Sequence, residues 1–253
     1  MPDFYIRSSE ALKKTGSQGV VQPHSFVAIA RPESKDGWMQ RNYWEKRVGW
    51  KEWLLCDDCE KRFGVHESKV VNFLYGSART PLKKKTLGTT VASLPPRAFP
   101  GLLEIREVQV DYRELKLFQM SLLWRAGVAK GEFFQNVDLG EKHERQLRQF
   151  LGHDDPGPEE AYPCAMYDLR SMHVEFEGFW QAPTIDRDED QGQRLYKIVI
   201  GGYALMYSVS THAASQLVLT YCAKRNGRMF LPVVNGELFL ERCAMRLREA
   251  GKL

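Results

Sequence analysis

Residues 111–129 read DYRELKLFQMSLLWRAGVA and form the most strongly helical stretch of this 253-residue sequence. Asp111 precedes the apolar run and Glu114 follows three residues later, which is the capping-box pattern of a helix start. Apolar side chains then recur on nearly every side of the predicted helix, at Leu115, Leu117, Phe118, Met120, Leu122, Leu123, Trp124 and Ala126. Because an all-round apolar helix must be enclosed, we expect it at the centre of the core.

Downstream of this helix, the periodicity changes from helical to strand-like. LGEKHERQLRQFL (139–151) is amphipathic and predicts a surface helix, and ELFLERCAMRLREA (237–250) predicts a closing one. The stretch 195–210 predicts either two strands joined at Gly201-Gly202 or one long strand with a bulge there. Further strands are predicted at 172–180 and 228–234. The expected fold class is α+β, with helices followed by an antiparallel sheet and a C-terminal helix.

Upstream of this helix, the elements are shorter. The β-branched, apolar run SFVAIA (25–30) predicts a strand, and a helix is expected from Asp58 to about Tyr75. Residues 76–101 contain four prolines and a lysine run, which favour a loop between two halves of the chain. We therefore expect three parts: an N-terminal segment at 1–75, a linker at 76–101, and a helical core with its sheet at 102–253.

Composition limits the class of protein. With 43% hydrophobic and 27% charged residues, the chain is typical of a soluble globular protein that can bury a sizeable core. Its net charge of +4 permits a nucleic-acid partner without requiring one. Five cysteines, an odd and sparse count, favour reduced thiols in the cytoplasm. The N-terminus has no apolar signal region and no run of about 18 apolar residues occurs, so no membrane partner is expected.

A C-x2-C pair, Cys56 and Cys59, is the clearest candidate metal site. Such a knuckle directs two thiolates at one tetrahedral zinc ion, and a short strand before it with a helix after it is the treble-clef arrangement. No second C-x2-C occurs in the chain. His66, His24, a partner molecule or no metal at all are the open alternatives for the remaining ligands. A redox dithiol is a further interpretation, which the acidic residues between the cysteines disfavour.

Basic side chains alternate with aromatic rings between Trp38 and Trp53. This mixture can contact phosphates and stack on bases, and a lysine run in the predicted loop adds phosphate affinity through counterion release. The candidate nucleic-acid-binding residues are Arg41, Lys46, Arg47, Lys51, Lys83, Lys84 and Lys85. The alternative is that the tryptophans pack inside the protein while the charges face water.

Several motifs together resemble a widespread set of uncharacterised bacterial proteins. They are LLCDDCEKRFGVHE (54–67), YRELKLFQMSLLWRAGV (112–128), F-x2-V-x-LG-x2-HE-x2-LR-x2-L (134–151), DPG (155–157) and YPC (162–164). Members of that set usually begin with another C-x2-C and a Ser-His-Ile-Ile-Pro segment, an order similar to that of HNH (ββα-metal) endonucleases. The resemblance implies structural zinc on Cys56 and Cys59, and a general-base histidine in the Ser-His segment.

The N-terminus departs from that pattern. Met1-Pro2-Asp3-Phe4 matches the end of the Ser-His segment, so the family's histidine would lie two places before Met1. Either the true start lies upstream, or this lineage has lost the first knuckle and the general base. The resemblance thus implies an HNH-nuclease-like nucleic-acid-binding protein without its catalytic histidine in this chain, and it leaves enzymatic activity open. The alternative is a non-enzymatic interaction protein, scaffold or regulatory, in phage defence or counter-defence.

Overall fold

The computed structural model describes residues 27–28, 57–76, 86–90, 101–130, 134–170, 179–187, 193–210, 213–236 and 238–239. Helices α1 to α4 span Asp57–Val71, Tyr112–Val128, Gly140–Gly152 and Gln216–Tyr221, and a π-helix follows α1 at Asn72–Gly76. Strands β1 to β8 span Val27–Ala28, Thr86–Thr90, Leu102–Gln109, Cys164–Asp168, Phe179–Arg187, Arg194–Ile200, Tyr203–Ser208 and Arg228–Val234. The fold is α+β, as the sequence predicts.

The strands form one sheet in the order β1-β5-β6-β7-β4-β8-β3-β2. Neighbouring strands are antiparallel in every described pair except β4 and β8, which run parallel with Asp168 opposite Val233. The prediction of an antiparallel sheet is therefore wrong for this one pair. The chain between β4 and β8 contains three strands and α4, which is long enough for the crossover that parallel neighbours require.

Helix α2 lies at the centre of the molecule, as its all-round apolar pattern predicts. Twelve of its residues are buried, and it packs against α1, α3 and one face of the sheet. Its start is capped by Asp111, whose side chain accepts a hydrogen bond from the Glu114 backbone N–H at 3.1 Å. The local cap thus determines where this helix begins, and its all-round apolar surface determines that it lies at the centre of the core.

The turn between β6 and β7 decides between the two interpretations of 195–210. Gly201 and Gly202 have φ angles of 57° and 82°, so both adopt the left-handed conformation of a two-residue hairpin turn. The Tyr75 hydroxyl donates to the Gly201 carbonyl at 2.5 Å, and a Cβ at Gly201 would collide with that hydroxyl. Two strands with a docked turn are therefore present, and not one bulged strand.

The sheet is buried on both faces at its centre. One face carries the α1, α2 and α3 layer, and the other carries a second apolar cluster with α4 residues such as Val218 and Tyr221. Every residue of β4 and β7 is buried, which agrees with their central positions in the strand order. The described residues thus form three layers, with helices on either side of the sheet.

Strands from all three predicted parts of the chain enter this sheet. β1 lies within the strand predicted at 25–30, and β2 lies within the predicted linker 76–101, where it pairs with β3. The threonine-rich composition of β2 suits a strand, although the surrounding prolines and lysines suggest a loop. The proposed domain boundaries at residues 75 and 101 stay predictions.

The remaining helices agree with their predicted positions. α1 begins at Asp57 and continues into the π-helix, and α3 is a surface helix that buries Leu147 and Leu151. At the predicted C-terminal helix, Leu238 and Phe239 are helical, and the Asn235 side chain accepts from the Leu238 N–H at 3.2 Å. The rest of that predicted helix lies outside the described residues. β3, β4, α4 and most of β5 were not predicted from the sequence, since the strand predicted at 172–180 overlaps β5 only at its first two residues and otherwise lies outside the described residues.

Candidate functional site

Charged side chains gather where α1, α2 and the turn after α3 meet. We call this group the charged cluster; it consists of Arg62, His66, Lys69, Arg113, Glu114 and Asp154. His66 and Lys69 lie one turn apart on α1, so both face the start of α2. Two of the motifs that carry the family resemblance, at 54–67 and 112–128, contribute residues to the charged cluster. A third motif, at 155–157, directly follows Asp154.

Glu114 is the buried centre of the charged cluster. Its carboxylate accepts hydrogen bonds from His66 Nδ1 at 2.5 Å, Lys69 Nζ at 2.9 Å and an Arg113 guanidinium nitrogen at 3.1 Å. Burial by itself raises the pKa of Glu114, but the hydrogen bonds from His66 and Lys69 outweigh it, and the net pKa is lowered. The side chain that the capping-box pattern assigns to the helix start instead ties α2 to α1.

His66 lies between two carboxylates and is 6% exposed. Its Nδ1 is 2.5 Å from Glu114 and its Nε2 is 3.4 Å from Asp154, so both contacts are hydrogen bonds when each ring nitrogen carries a proton. Cys59 lies seven residues earlier in α1, about 10 Å along the helix axis. A zinc ion bound by both Cys59 and His66 would require the His66 side chain to give up its contacts with Glu114 and Asp154. Zinc ligation by His66 stays a prediction.

Asp154 is held more loosely than Glu114. Its carboxylate oxygens lie 3.7 Å from Arg62 Nε and 3.8 Å from an Arg113 nitrogen, which is too long for hydrogen bonds. Its side chain is 31% exposed, and its φ of 51° is unusual for a residue other than glycine. The two carboxylates of the charged cluster therefore differ, since one is buried with short bonds and the other is a half-exposed ion-pair partner.

Cys59 contacts the charged cluster through Arg62. One Arg62 nitrogen approaches Cys59 Sγ at 4.0 Å while another donates to the Gly152 carbonyl at 3.0 Å. A guanidinium beside the sulfur is compatible with a thiolate ligand of zinc. Cys56 and His24 lie outside the described residues. Within the part of the chain that the structure describes, no group of three His, Cys, Asp or Glu side chains is placed to hold a metal ion. A zinc site at Cys56 and Cys59 stays a prediction.

None of the candidate nucleic-acid-binding residues falls in the part of the chain that the structure describes; these are Arg41, Lys46, Arg47, Lys51, Lys83, Lys84 and Lys85. The structure points instead to Arg62, Lys69 and Arg113, whose side chains are 35%, 55% and 46% exposed. Sequence reasoning missed them because isolated helix charges usually face water without a role. The seven-residue spacing of Arg62 and Lys69, which places both on one side of α1, was the available signal.

A second group of charges lies at the end of β4. We call it the Asp168 cluster; it contains Glu104, Arg106, Asp168 and Arg170. Arg170 binds both Asp168 oxygens, at 3.0 and 3.1 Å, and its guanidinium lies 4.3 Å from the Tyr203 ring centre. Burial lowers the pKa of Arg170, but the hydrogen bonds to Asp168 outweigh it and raise the net pKa. Two arginines and two carboxylates thus balance each other around the buried Asp168, while the other three side chains are between 20% and 27% exposed.

Other titratable groups are enclosed between α2 and the sheet. Lys116 is 3% exposed and donates to the Tyr162 carbonyl at 3.0 Å, and its burial lowers its pKa to about 8. Burial raises the pKa of the Cys164 and Cys222 thiols. Because the thiolate is the reactive form, buried thiols with a raised pKa are poor nucleophiles. These groups serve packing, so the charged cluster is the candidate site.

No protein-family model, curated protein or solved structure matches this chain. The resemblance to HNH endonucleases accordingly rests on the quoted motifs, and its functional content is a proposal. Within the described ranges, no helix combines the length and the apolar character that crossing a membrane requires. The geometry of the charged cluster is therefore the starting point for any statement about function.

Proposed function

We propose that this protein binds nucleic acid through the cations of the charged cluster, which lie where α1 meets the start of α2. One observation carries the proposal: the side chains of Arg62, Lys69 and Arg113 are partly exposed, whereas Glu114, one of only two carboxylates in the charged cluster, is buried beneath them. Within the charged cluster the three cations therefore outnumber the two carboxylates, although the four acidic residues of α1 outnumber its three lysines and arginines. Such a surplus attracts the phosphate backbone and releases its counterions, which is the main source of sequence-independent affinity.

The predicted basic residues on either side of α1 support the same function. Arg41, Lys46, Arg47 and Lys51 precede this helix in the chain, and Lys83, Lys84 and Lys85 follow it. Phosphate contacts from several segments position a protein on nucleic acid without reading its sequence. Zinc bound by Cys56 and Cys59, if present as in the resembled family, would fix the start of α1 and so orient Arg62 and Lys69.

Binding, and not cleavage, is the activity that these residues support. His66 is the histidine of the charged cluster, and it is 6% exposed with a carboxylate at each ring nitrogen. A general base needs a ring nitrogen that reaches the proton it abstracts. His66 therefore links α1 to α2 and to the turn after α3 through its two carboxylate contacts, and we assign it no catalytic role.

Fluorescence anisotropy with labelled 20-base DNA and RNA, single- and double-stranded, tests the proposal at 50 and 200 mM salt. We expect binding that weakens with salt, and Lys69→Gln should lower the affinity several-fold while reducing the salt slope by about one. Lys142→Gln is the matched control, because Lys142 is exposed on α3 about 15 Å from the end that meets the charged cluster. Absence of binding by the wild type at 50 mM salt would contradict the proposal and favour the protein-interaction alternative.

A further inference from the structure

The two carboxylates of the charged cluster differ in how firmly the arginines hold them. Glu114 accepts a direct hydrogen bond from Arg113 at 3.1 Å and is buried. Asp154 lies 3.7 Å from Arg62 Nε and 3.8 Å from Arg113, and its side chain is 31% exposed. A half-exposed ion pair without a direct hydrogen bond contributes little to stability. Among the described residues, the one hydrogen bond to the Asp154 carboxylate, from His66 Nε2, is long at 3.4 Å. Asp154 can therefore leave the two arginines if this long bond to His66 is also given up.

Donor groups beside Asp154 are not fully used. Arg62 Nε is buried and has no hydrogen-bond partner in the described part of the chain. Arg113 directs one nitrogen at Glu114 and another at Asp154, the second at ion-pair distance. A buried donor without a partner costs free energy that a suitably placed acceptor would recover. The arrangement thus favours an oxyanion that approaches the two guanidinium groups more closely than Asp154 does.

Both arginines have a second anchor that does not involve Asp154. Arg62 donates to the Gly152 carbonyl at 3.0 Å, and Arg113 donates to Glu114 at 3.1 Å. Displacement of the Asp154 side chain would therefore leave both guanidinium groups in position. Asp154 itself ends the turn after α3 with a φ of 51°, a conformation that aspartate tolerates better than most residues.

From these contacts we propose that Arg62 and Arg113 form a phosphate clamp, and that Asp154 is its resident acceptor until a backbone phosphate of nucleic acid replaces it. The clamp rests on the proposed nucleic-acid binding and names the group that this surface recognises. Arginine suits the role, because its planar fork donates two parallel hydrogen bonds to phosphate oxygens. Asp154 occupies the clamp in the free protein and competes with phosphate for it.

Substitution of Asp154 separates this proposal from a purely structural role. Asp154→Asn removes the competing charge and keeps a side chain that tolerates positive φ, so the affinity for a 20-base DNA should rise about threefold to tenfold. Arg62→Gln and Arg113→Gln should each lower the affinity about tenfold and reduce the salt slope by about one. Thermal melting of each variant verifies that it is folded. If the folded Asp154→Asn variant binds DNA as the wild type does, or more weakly, Asp154 does not compete with phosphate for the two arginines.

Arginine side-chain NMR distinguishes a nucleic-acid phosphate from free phosphate. The Arg62 Nε–H resonance of the wild type should shift on titration with the 20-base DNA and shift far less with inorganic phosphate at the same concentration. An equal response to inorganic phosphate without DNA binding overturns the assignment to nucleic acid. DNA binding that neither arginine substitution affects overturns the clamp while the proposed function stands. Absence of DNA binding by the wild type overturns both.

Discussion

The charged cluster and the Asp168 cluster use the same residue types in opposite ways. In the Asp168 cluster, Arg106 and Arg170 face the carboxylates of Glu104 and Asp168, and aromatic rings cover Arg170. Asp168 is 2% exposed there. In the charged cluster, the cations outnumber the carboxylates and their outer ends are partly exposed. Balanced and covered charges stabilise a fold, whereas a surplus at the surface remains available to a partner.

This difference has an energetic basis. When one partner of a buried ion pair is removed, the other charge is left without compensation in a poorly solvated place. At an exposed pair, water takes the place of the lost partner, so the cost is small. We therefore expect substitutions in the Asp168 cluster to change stability, and substitutions of the exposed cations in the charged cluster to change binding.

The largest effect is expected for Asp168→Asn. This change leaves the Arg170 guanidinium, which is 20% exposed, without its buried carboxylate partner and should lower the free energy of unfolding by about 3 kcal/mol. Urea denaturation at pH 7 measures it. Asp186→Asn is the matched control, because the Asp186 side chain is 41% exposed beside Lys197, and it should cost less than about 1 kcal/mol. Equal losses of unfolding free energy in the two variants would contradict the expected difference between a buried and an exposed ion pair.

Glu114→Gln should have an intermediate effect that depends on pH. The folded-state pKa of Glu114 is lowered below its ordinary value of 4.5, so the ionised carboxylate stabilises the fold above pH 4.5. That stabilisation is lost as the pH falls through the lowered folded value. The variant should unfold about 2 kcal/mol more easily than the wild type at pH 7, with a difference that shrinks below pH 4.5.

Urea denaturation of both proteins from pH 3 to pH 7 checks this dependence. The exposed Glu160 offers the same substitution as a control, for which we expect little change at any pH. A difference between Glu114→Gln and the wild type that stays constant over this range would show that packing, and not charge, determines the effect.

The smallest effect on stability is expected for Lys69→Gln. The Lys69 side chain is 55% exposed although its Nζ bonds to Glu114, so the free energy of unfolding should fall by about 0.5 kcal/mol. The same variant should lose several-fold in nucleic-acid affinity. A loss of stability above about 2 kcal/mol would place Lys69 with the buried pairs and remove the contrast between the two clusters.

Much of the fold follows from local patterns. β8 at 228–234 and the capped start of α2 at Asp111 were predictable, because each depends on neighbouring residues in the chain. For the same reason the glycine pair at 201–202 could be marked as a turn or a bulge, and the structure shows the turn. β2 and the parallel pairing of β4 with β8 were not predictable. A strand is stabilised by partners that lie far away in sequence, and a short threonine-rich run among prolines contains no signal of those partners.

The candidate site was less predictable than the fold. Sequence reasoning named His66 as a possible zinc ligand, and the structure gives it Glu114 and Asp154 as contacts. Glu114 was assigned to a capping box, and its backbone N–H does bond to Asp111 while its carboxylate faces α1. The helical period determines the side of α2 on which Glu114 lies, but not which helix packs there.

The sequence by itself determined that α2 is enclosed and where it starts, and it marked Gly201-Gly202 as either a turn or a bulge. These properties depend on periodicity and backbone conformation, which act over a few residues. Tertiary structure alone decided that Arg62, Arg113 and Asp154, each an ordinary surface charge in the sequence, share one place. The reason is that charge surplus is a property of a neighbourhood, and packing of α1 on α2 and α3 creates that neighbourhood.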